Sequence, residues 1–239
     1  MPSETLQAIV LRVANYREHD RMLTLLTPDQ GRVDVLSRGC RRPKSCLMPA
    51  SENFVQGEFV VFRNQDRCTL TSCTIGESFY PVRLDAYRMT CGAYMLQLAQ
   101  AAAHPGQEAE TLYQLLAGSL RRLCYGENGA PLTIVNAFLL LFAADNGYRP
   151  RLSHCVYCQK KIAPDQGACF DISAGGICCG SCAQGALPRP SAAQLQWMRA
   201  TLQNGTETPA VEDKTLFEIL RRYVESRLET TIKSSKFLP

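Results

Sequence analysis

The chain has 239 residues, enough for one large or two small cored domains, and its 46% hydrophobic and 20% charged content is ordinary for soluble globular protein. No apolar run is long enough to span a bilayer (the longest is 137–144), and the amino terminus, Met-Pro-Ser-Glu-Thr, has neither a basic region nor an apolar stretch. A membrane span and a secretion signal are therefore not expected, and the twelve cysteines read as cytoplasmic thiols plus a metal site.

Residues 6–78 read as β. Leu6 to Val13 and Met22 to Thr27 are candidate strands, and Pro28-Asp-Gln-Gly31 is a turn in which proline fixes φ and glycine accepts positive φ. Arg32 to Leu36 alternates and should pair with the strand before it. After a loop at 38–52, Asn53 to Phe62 and Cys68 to Ile75 form a further pair across Arg63–Arg67. Five short strands are too few for a sandwich, and closure removes their edges. The expectation is an OB-type barrel with a long, charged connection between its third and fourth strands.

From Pro81 the period changes to helical. Leu84 to Ala103 and Glu110 to Tyr125 carry apolar residues at helical spacing, and Pro131 can open a third helix that ends near Asn146-Gly147. That helix is apolar nearly all round, so it should be the buried centre of a bundle. Ala192 to Leu202, with Ser191 as its cap, and Thr215 to Thr231 complete the helices.

Between them lie Cys155-Val-Tyr-Cys158 and Cys179-Gly-Ser-Cys182, two pairs with twenty residues between them. That is the spacing of a tetrahedral four-cysteine zinc site with metal–sulfur bonds of about 2.3 Å. Cys178 and Cys169 are fallback ligands, and His154 a weaker one. A disulfide reading lacks an oxidising compartment. A redox CxxC should open a helix after a strand, whereas Cys155 follows a helix exit. A catalytic zinc keeps an open position beside a general base, but four thiolates saturate the ion and no glutamate lies between residues 128 and 206. The zinc is expected to be structural.

The chain is not globally basic: residues 1–80 hold ten Lys/Arg against nine Asp/Glu. Yet Arg38, Arg41, Arg42 and Lys44 fall within Ser37-Arg-Gly-Cys-Arg-Arg-Pro-Lys-Ser-Cys46 with no acid among them. Arginine offers a planar fork and lysine a mobile charge to phosphates, and four contacts to a single strand give a log–log salt slope of about −3. The plain alternative is a solvated loop. Arg12, Arg17, Arg21 and Arg32 could extend the patch, though each alone reads as a surface residue. Aromatics for base stacking are sparse; Phe54, Phe59 and Phe62 read as core, which leaves Tyr16 as the platform. No phosphate-binding glycine loop, nucleophile elbow or HExxH spacing supports an enzyme. His19 between Glu18 and Asp20 reads as a turn.

Several motifs, in order, resemble the bacterial DNA repair protein RecO family. They are Ala8-Ile-Val-Leu-Arg12, Tyr16-Arg-Glu-His-Asp-Arg21, Leu25-Leu-Thr27, Gly31-Arg32, the segment 37–45, Asn146-Gly-Tyr-Arg-Pro150, Cys155-Val-Tyr-Cys158, Gly175-Gly-Ile-Cys178 and Lys233-Ser-Ser-Lys-Phe-Leu238. The resemblance implies an α+β protein: an OB-fold DNA-binding domain at 1–80, a helical domain at 81–149 and 187–239, and a zinc-binding lobe at 150–186. It implies a recombination mediator, not an enzyme, that binds single- and double-stranded DNA, anneals complementary strands and works with RecR. It further implies contact with the tail of single-strand-binding protein and help in loading RecA recombinase. The contrasting expectation is a zinc-stapled adaptor whose basic loop binds an acidic partner.

Overall fold

The computed structural model describes residues 3–64, 67–126, 131–205 and 213–238. Tyr125 closes one compact unit and Gly126 opens a second.

The first unit begins with five strands: β1 (Ser3–Tyr16), β2 (Asp20–Thr27), β3 (Gly31–Ser37), β4 (Gln56–Asn64) and β5 (Arg67–Glu77). They close into a barrel in the order β1-β2-β3-β5-β4. All pairs are antiparallel except β3 with β5, which run parallel. This is the five-stranded, OB-type closure expected of the sequence. Its interior is filled by alternating apolar residues, among them Leu6, Ala8, Val10, Leu23, Leu25, Val35, Phe59 and Val61. In β1 the register slips between Val10 and Arg12. The slip lets Val10 and Val13 both pack on the barrel core although they are three residues apart. Of the connection 63–67, Gln65 and Asp66 lie outside the described residues.

β1 reaches Tyr16, further than alternation alone indicated, because Tyr16 pairs with Asp20 across a three-residue hairpin. Phe54 and Phe59 are buried as expected of core residues; Phe62 is only half-buried.

Three helices belong to the same unit: α1 (Tyr80–Leu84), α2 (Ala86–Ala102) and α3 (Glu110–Tyr125). The helix expected from Leu84 onward is interrupted at Asp85, whose extended backbone ends α1. Its carboxylate accepts the N–H groups of Tyr87 and Arg88 and so starts α2. The α2–α3 connection is laced to the β2–β3 turn: Gly106 N–H donates to Gln30 O at 2.9 Å and Ala109 N–H to Pro28 O at 2.7 Å. Gly31, at φ 62°, is the position that permits this approach. A Cβ there would stand 2.3 Å from His104 O and 2.5 Å from Gln107 O.

The second unit holds α4 (Pro131–Asp145), α5 (Ala192–Asn204) and α6 (Lys214–Arg227), with a lobe built on β6 (Cys169–Asp171) and β7 (Gly176–Cys178). α4 packs against α5 and α6 and buries eleven of its residues, Thr133 and Asn136 included. The Asn136 amide N–H donates to Asp213 O at 3.1 Å, while its Oδ1 is buried without a partner among the described residues. α6 stops at Arg227, short of Thr231, and the chain continues into a 3₁₀ turn at Lys233–Phe237. Among the described residues no helix is long and apolar enough to cross a membrane.

Candidate nucleic-acid interface and metal centre

The loop at 38–52 is wound in successive turns: Arg42 N–H donates to Gly39 O, Ser45 N–H to Arg42 O, Met48 N–H to Ser45 O and Ser51 N–H to Met48 O, all at 3.1–3.3 Å. Its ends are tied by the buried Ser37 and Ser51 hydroxyls, 2.8 Å apart. It is also pinned to the β1–β2 hairpin. Asp20 accepts Gly39 N–H at 2.8 Å, His19 O accepts Arg41 N–H at 3.0 Å, and Glu18 O accepts the Arg41 guanidinium at 3.1 Å. Glu18, His19 and Asp20, a turn by sequence, are thus the seat of the loop. Buried hydrogen bonds fix the base and leave the cations outside: Arg38, Arg41, Arg42 and Lys44 are all exposed. No carboxylate lies between Asp34 and Glu52 to neutralise them.

The remaining cations divide into three kinds. Arg17 sits at the hairpin tip with its guanidinium over the Tyr16 ring, 5.3 Å from the centroid, so the one exposed aromatic expected to stack a base already carries a cation. Arg17 and Lys44 both have left-handed backbones, φ 55° and 66°, a conformation that costs such residues on the order of 1–3 kcal/mol each. Arg12 and Arg32 line a hollow of about 380 Å³ on the outer barrel face, with Thr24, Asp34 and Gln100 beside them. Arg21 is half-buried and committed: it binds Ser51 O at 2.7 Å and Glu52 at 2.6 Å, bracing the loop from below. That commitment was invisible in the sequence, because Glu52 lies thirty-one residues away.

The four cysteines of the two CxxC pairs converge in the second unit. The sulfurs of Cys155, Cys158, Cys179 and Cys182 all lie within 4.8 Å of one another, and Cys158 and Cys179 are 3.8 Å apart. A tetrahedron with metal–sulfur bonds of about 2.3 Å has edges of about 3.8 Å, so the donor set fits a single ion. Each pair is a tight knuckle: Gln159 N–H donates to Cys155 O, and both Cys182 and Ala183 donate to Cys179 O, at 3.0 Å.

Burial opposes ionisation of Cys155, but the N–H groups of Cys158, Cys179 and Tyr157 outweigh it and hold the thiol below its usual range. The Ser181 hydroxyl and Cys182 thiol bring Cys179 down to about 6. Hydrogen bonding to Cys179 and Cys158 pushes Cys182 up to about 12. The group therefore retains protons that a cation can displace. Cys169 and Cys178 face each other across the β6–β7 ladder, both buried, outside the four-sulfur group. Burial raises Cys178 to about 11, as suits a packed thiol. His154 shares a hydrogen with Ser153 at 2.9 Å and is likewise outside the group.

A five-stranded barrel bearing a basic loop, joined in one chain to helices and a four-cysteine lobe, defines an α+β protein of the OB-barrel class with a metal-type lobe. Residues 1–79 match the family described as Recombination protein O N terminal, and residues 83–236 that described as Recombination protein O C terminal. The DNA repair protein RecO of Acetivibrio thermocellus is 30% identical over 238 residues, covering 96% of this chain and 94% of the relative. That of Streptomyces griseus is 34% identical over 242 residues, covering 96% of each. That of Symbiobacterium thermophilum is 32% identical over 241 residues, covering 96% and 94%. The chain belongs to the RecO family of DNA repair and recombination proteins.

Proposed function

We propose that this chain is a non-catalytic recombination mediator that binds single- and double-stranded DNA through the barrel loop, anneals complementary strands and helps load RecA recombinase. In this reading it acts in the cytoplasm, associated with the nucleoid, with RecR and with the carboxyl-terminal tail of single-strand-binding protein as partners. By role, 1–80 contacts DNA, 81–149 with 187–239 is the helical part, and 150–186 is the metal lobe.

The observation that carries the reading is the loop itself. Four exposed cations, none in an ion pair among the described residues, stand on a base fixed by hydrogen bonds. A preorganised cationic surface loses little conformational freedom on meeting a polyanion, and each phosphate neutralised releases counterions. Arg38, Arg41, Arg42 and Lys44 are the primary contacts, with Arg12, Arg17 and Arg32 flanking. Arg21 contributes as the brace of the loop. The ion proposed for Cys155, Cys158, Cys179 and Cys182 is zinc. Four soft thiolates suit it, and a saturated site leaves no position for substrate, so its contribution is to folding.

The test is binding of a fluorescent oligodeoxythymidylate as salt is raised. The chain should show a log–log slope near −3 or steeper, and an Arg41→Ala/Arg42→Ala/Lys44→Ala variant should lose about 2 of it, at about 0.7 per contact. Parental binding by that variant would move the site off the loop. Absence of oligonucleotide binding at low salt, with binding of an acidic peptide instead, would favour the adaptor.

A further inference from the structure

The segment that leaves α4 carries a second concentration of charge. No acidic residue occurs between Asp145 and Asp165, and Arg149, Arg151, Lys160 and Lys161 fall within that interval. Burial alternates from 149 to 153: Pro150 and Leu152 are buried, whereas Arg149, Arg151 and Ser153 are exposed and share the outer face. The strip is held by backbone bonds to the lobe, Arg151 N–H donating to Gly175 O at 3.0 Å and Ile177 N–H to Arg151 O at 2.9 Å.

Against this strip, the last turns of α5 form the other wall of a pocket of about 380 Å³. Arg149, Arg151, Arg199, His154, Gln159 and Gln203 line it together with Ser153, and no carboxylate is among the lining residues. The volume is within the range of about 300–1,000 Å³ typical of small-ligand sites.

Two of the three guanidinium groups are already oriented. Arg149 donates to Leu202 O at 2.8 Å; Arg199 donates to Leu152 O at 2.7 Å and to Ile162 O at 2.9 Å. These bonds leave donors unused, since each guanidinium has five N–H groups. A staple between α5 and the lobe accounts for Arg199 and for one N–H of Arg149. It leaves Arg151 unexplained, whose side chain makes no hydrogen bond or ion pair among the described residues. Asp145 lies close enough to feel Arg149, yet burial raises its carboxyl in spite of that charge, and it does not line the pocket.

We infer that this pocket is a phosphate site that takes one phosphodiester of a nucleic-acid strand, a contact additional to the barrel loop. The inference rests on the reading that the chain binds DNA. Paired guanidiniums with neutral amide donors match the oxygens of a phosphate, whose charge supplies the counter-ion that the pocket lacks. A polyanion is favoured over a free anion because Lys160 and Lys161, exposed and bonded through the backbone beside His154 and Cys155, extend the charge beyond the pocket. A continuing strand would engage them; an isolated phosphate would not.

The test is anisotropy of a labelled oligodeoxythymidylate of about 30 nucleotides, long enough to exceed one barrel's footprint, measured across a salt series. An Arg149→Gln/Arg151→Gln variant should bind roughly tenfold more weakly, with the slope reduced by about 1.4, two contacts at about 0.7 each. Arg151→Gln alone breaks no internal contact and should show half that slope change, so a folding defect in the double variant does not decide the matter. Parental slopes in both variants, alongside a reduced slope in the barrel-loop variant, would overturn the inference and leave the proposed function intact. Parental DNA binding with weakened binding of polyaspartate would overturn it in favour of an acidic polypeptide. If the parent chain binds no oligonucleotide at low salt, the proposed function fails first and the inference with it.

Discussion

Gly31→Ala should be a strongly damaging single-methyl change in the barrel, and its cost can be assembled from parts. The left-handed φ of 62° costs an alanine about 1–2 kcal/mol. The new Cβ would stand 2.3 and 2.5 Å from two carbonyl oxygens of the α2–α3 connection, so that connection must move. Moving it puts at risk the bonds Gly106 N–H to Gln30 O and Ala109 N–H to Pro28 O, worth about 1 kcal/mol each. The sum is about 3–4 kcal/mol. Two other glycines separate the contributions. Gly106 has φ 74° and nothing within 4 Å, so its alanine variant should lose only the backbone part. Gly118, inside α3 with equally open space, should gain up to about 1 kcal/mol as alanine. Amide hydrogen exchange on peptides covering residues 20–37 and 100–112 reads the local effect, with the order Gly31 worst, Gly106 intermediate and Gly118 improved. Equal protection loss in the Gly31 and Gly106 variants would refute the reasoning, because it would mean that the close approach carries no energy.

Three further outcomes follow from the site and its supports. The purified chain should hold one zinc per chain, and stripping it should unfold the lobe and red-shift the emission of Trp197, the only tryptophan, since Arg199 on the same helix clamps Leu152 and Ile162; unchanged exchange at 169–178 after stripping would contradict a structural metal. Arg21→Ala should loosen the loop by removing the Glu52 and Ser51 bonds, weakening oligonucleotide binding a few-fold with little change in salt slope, whereas Arg42→Ala should lower the slope by about 0.7. Burial disfavours the Glu77 carboxylate, but the N–H groups of Phe79 and Ser78 and the Tyr125 hydroxyl outweigh it and hold its pKa below the usual value. Its stabilisation is therefore full above the unfolded value of about 4.3 and is lost as pH falls below it, so the deficit of Glu77→Gln, about 1 kcal/mol at neutral pH, should vanish in acid.

The barrel was legible because its strands alternate. β3 buries Val33 and Val35 and turns Asp34 outward, so period and register agree. α4 was legible for the opposite reason, being apolar on every side. What escaped the sequence was set by partners distant along the chain. The exception is Asp85, which divides α1 from α2 by a local cap set within an otherwise continuous apolar period. Thr133 and Asn136 are buried because the surrounding helices leave no polar side, and Asn136 finds its acceptor at Asp213.

At the candidate interface the charge density of 38–44 was readable, but not which cations are free. Arg21 resembles the others in sequence and differs through its bonds to Ser51 O and Glu52. The cationic pocket at 149–154 was hidden by its own pattern. Pro150 and Leu152 break the charge run, and only an extended backbone brings Arg149 and Arg151 to one face, opposite an arginine from α5. The cysteine spacing was the most direct signal. Even so, the exclusion of Cys178 depends on its pairing with Cys169 in a two-stranded ladder, which spacing does not encode.

The most direct test of the central reading is annealing of two complementary strands, each coated with single-strand-binding protein, with and without this chain and beside its Arg41→Ala/Arg42→Ala/Lys44→Ala variant. Faster annealing by the chain, lost in a variant that still folds, is the predicted result. Annealing no faster than the coated strands alone, at salt where oligonucleotide binding is measurable, would contradict it.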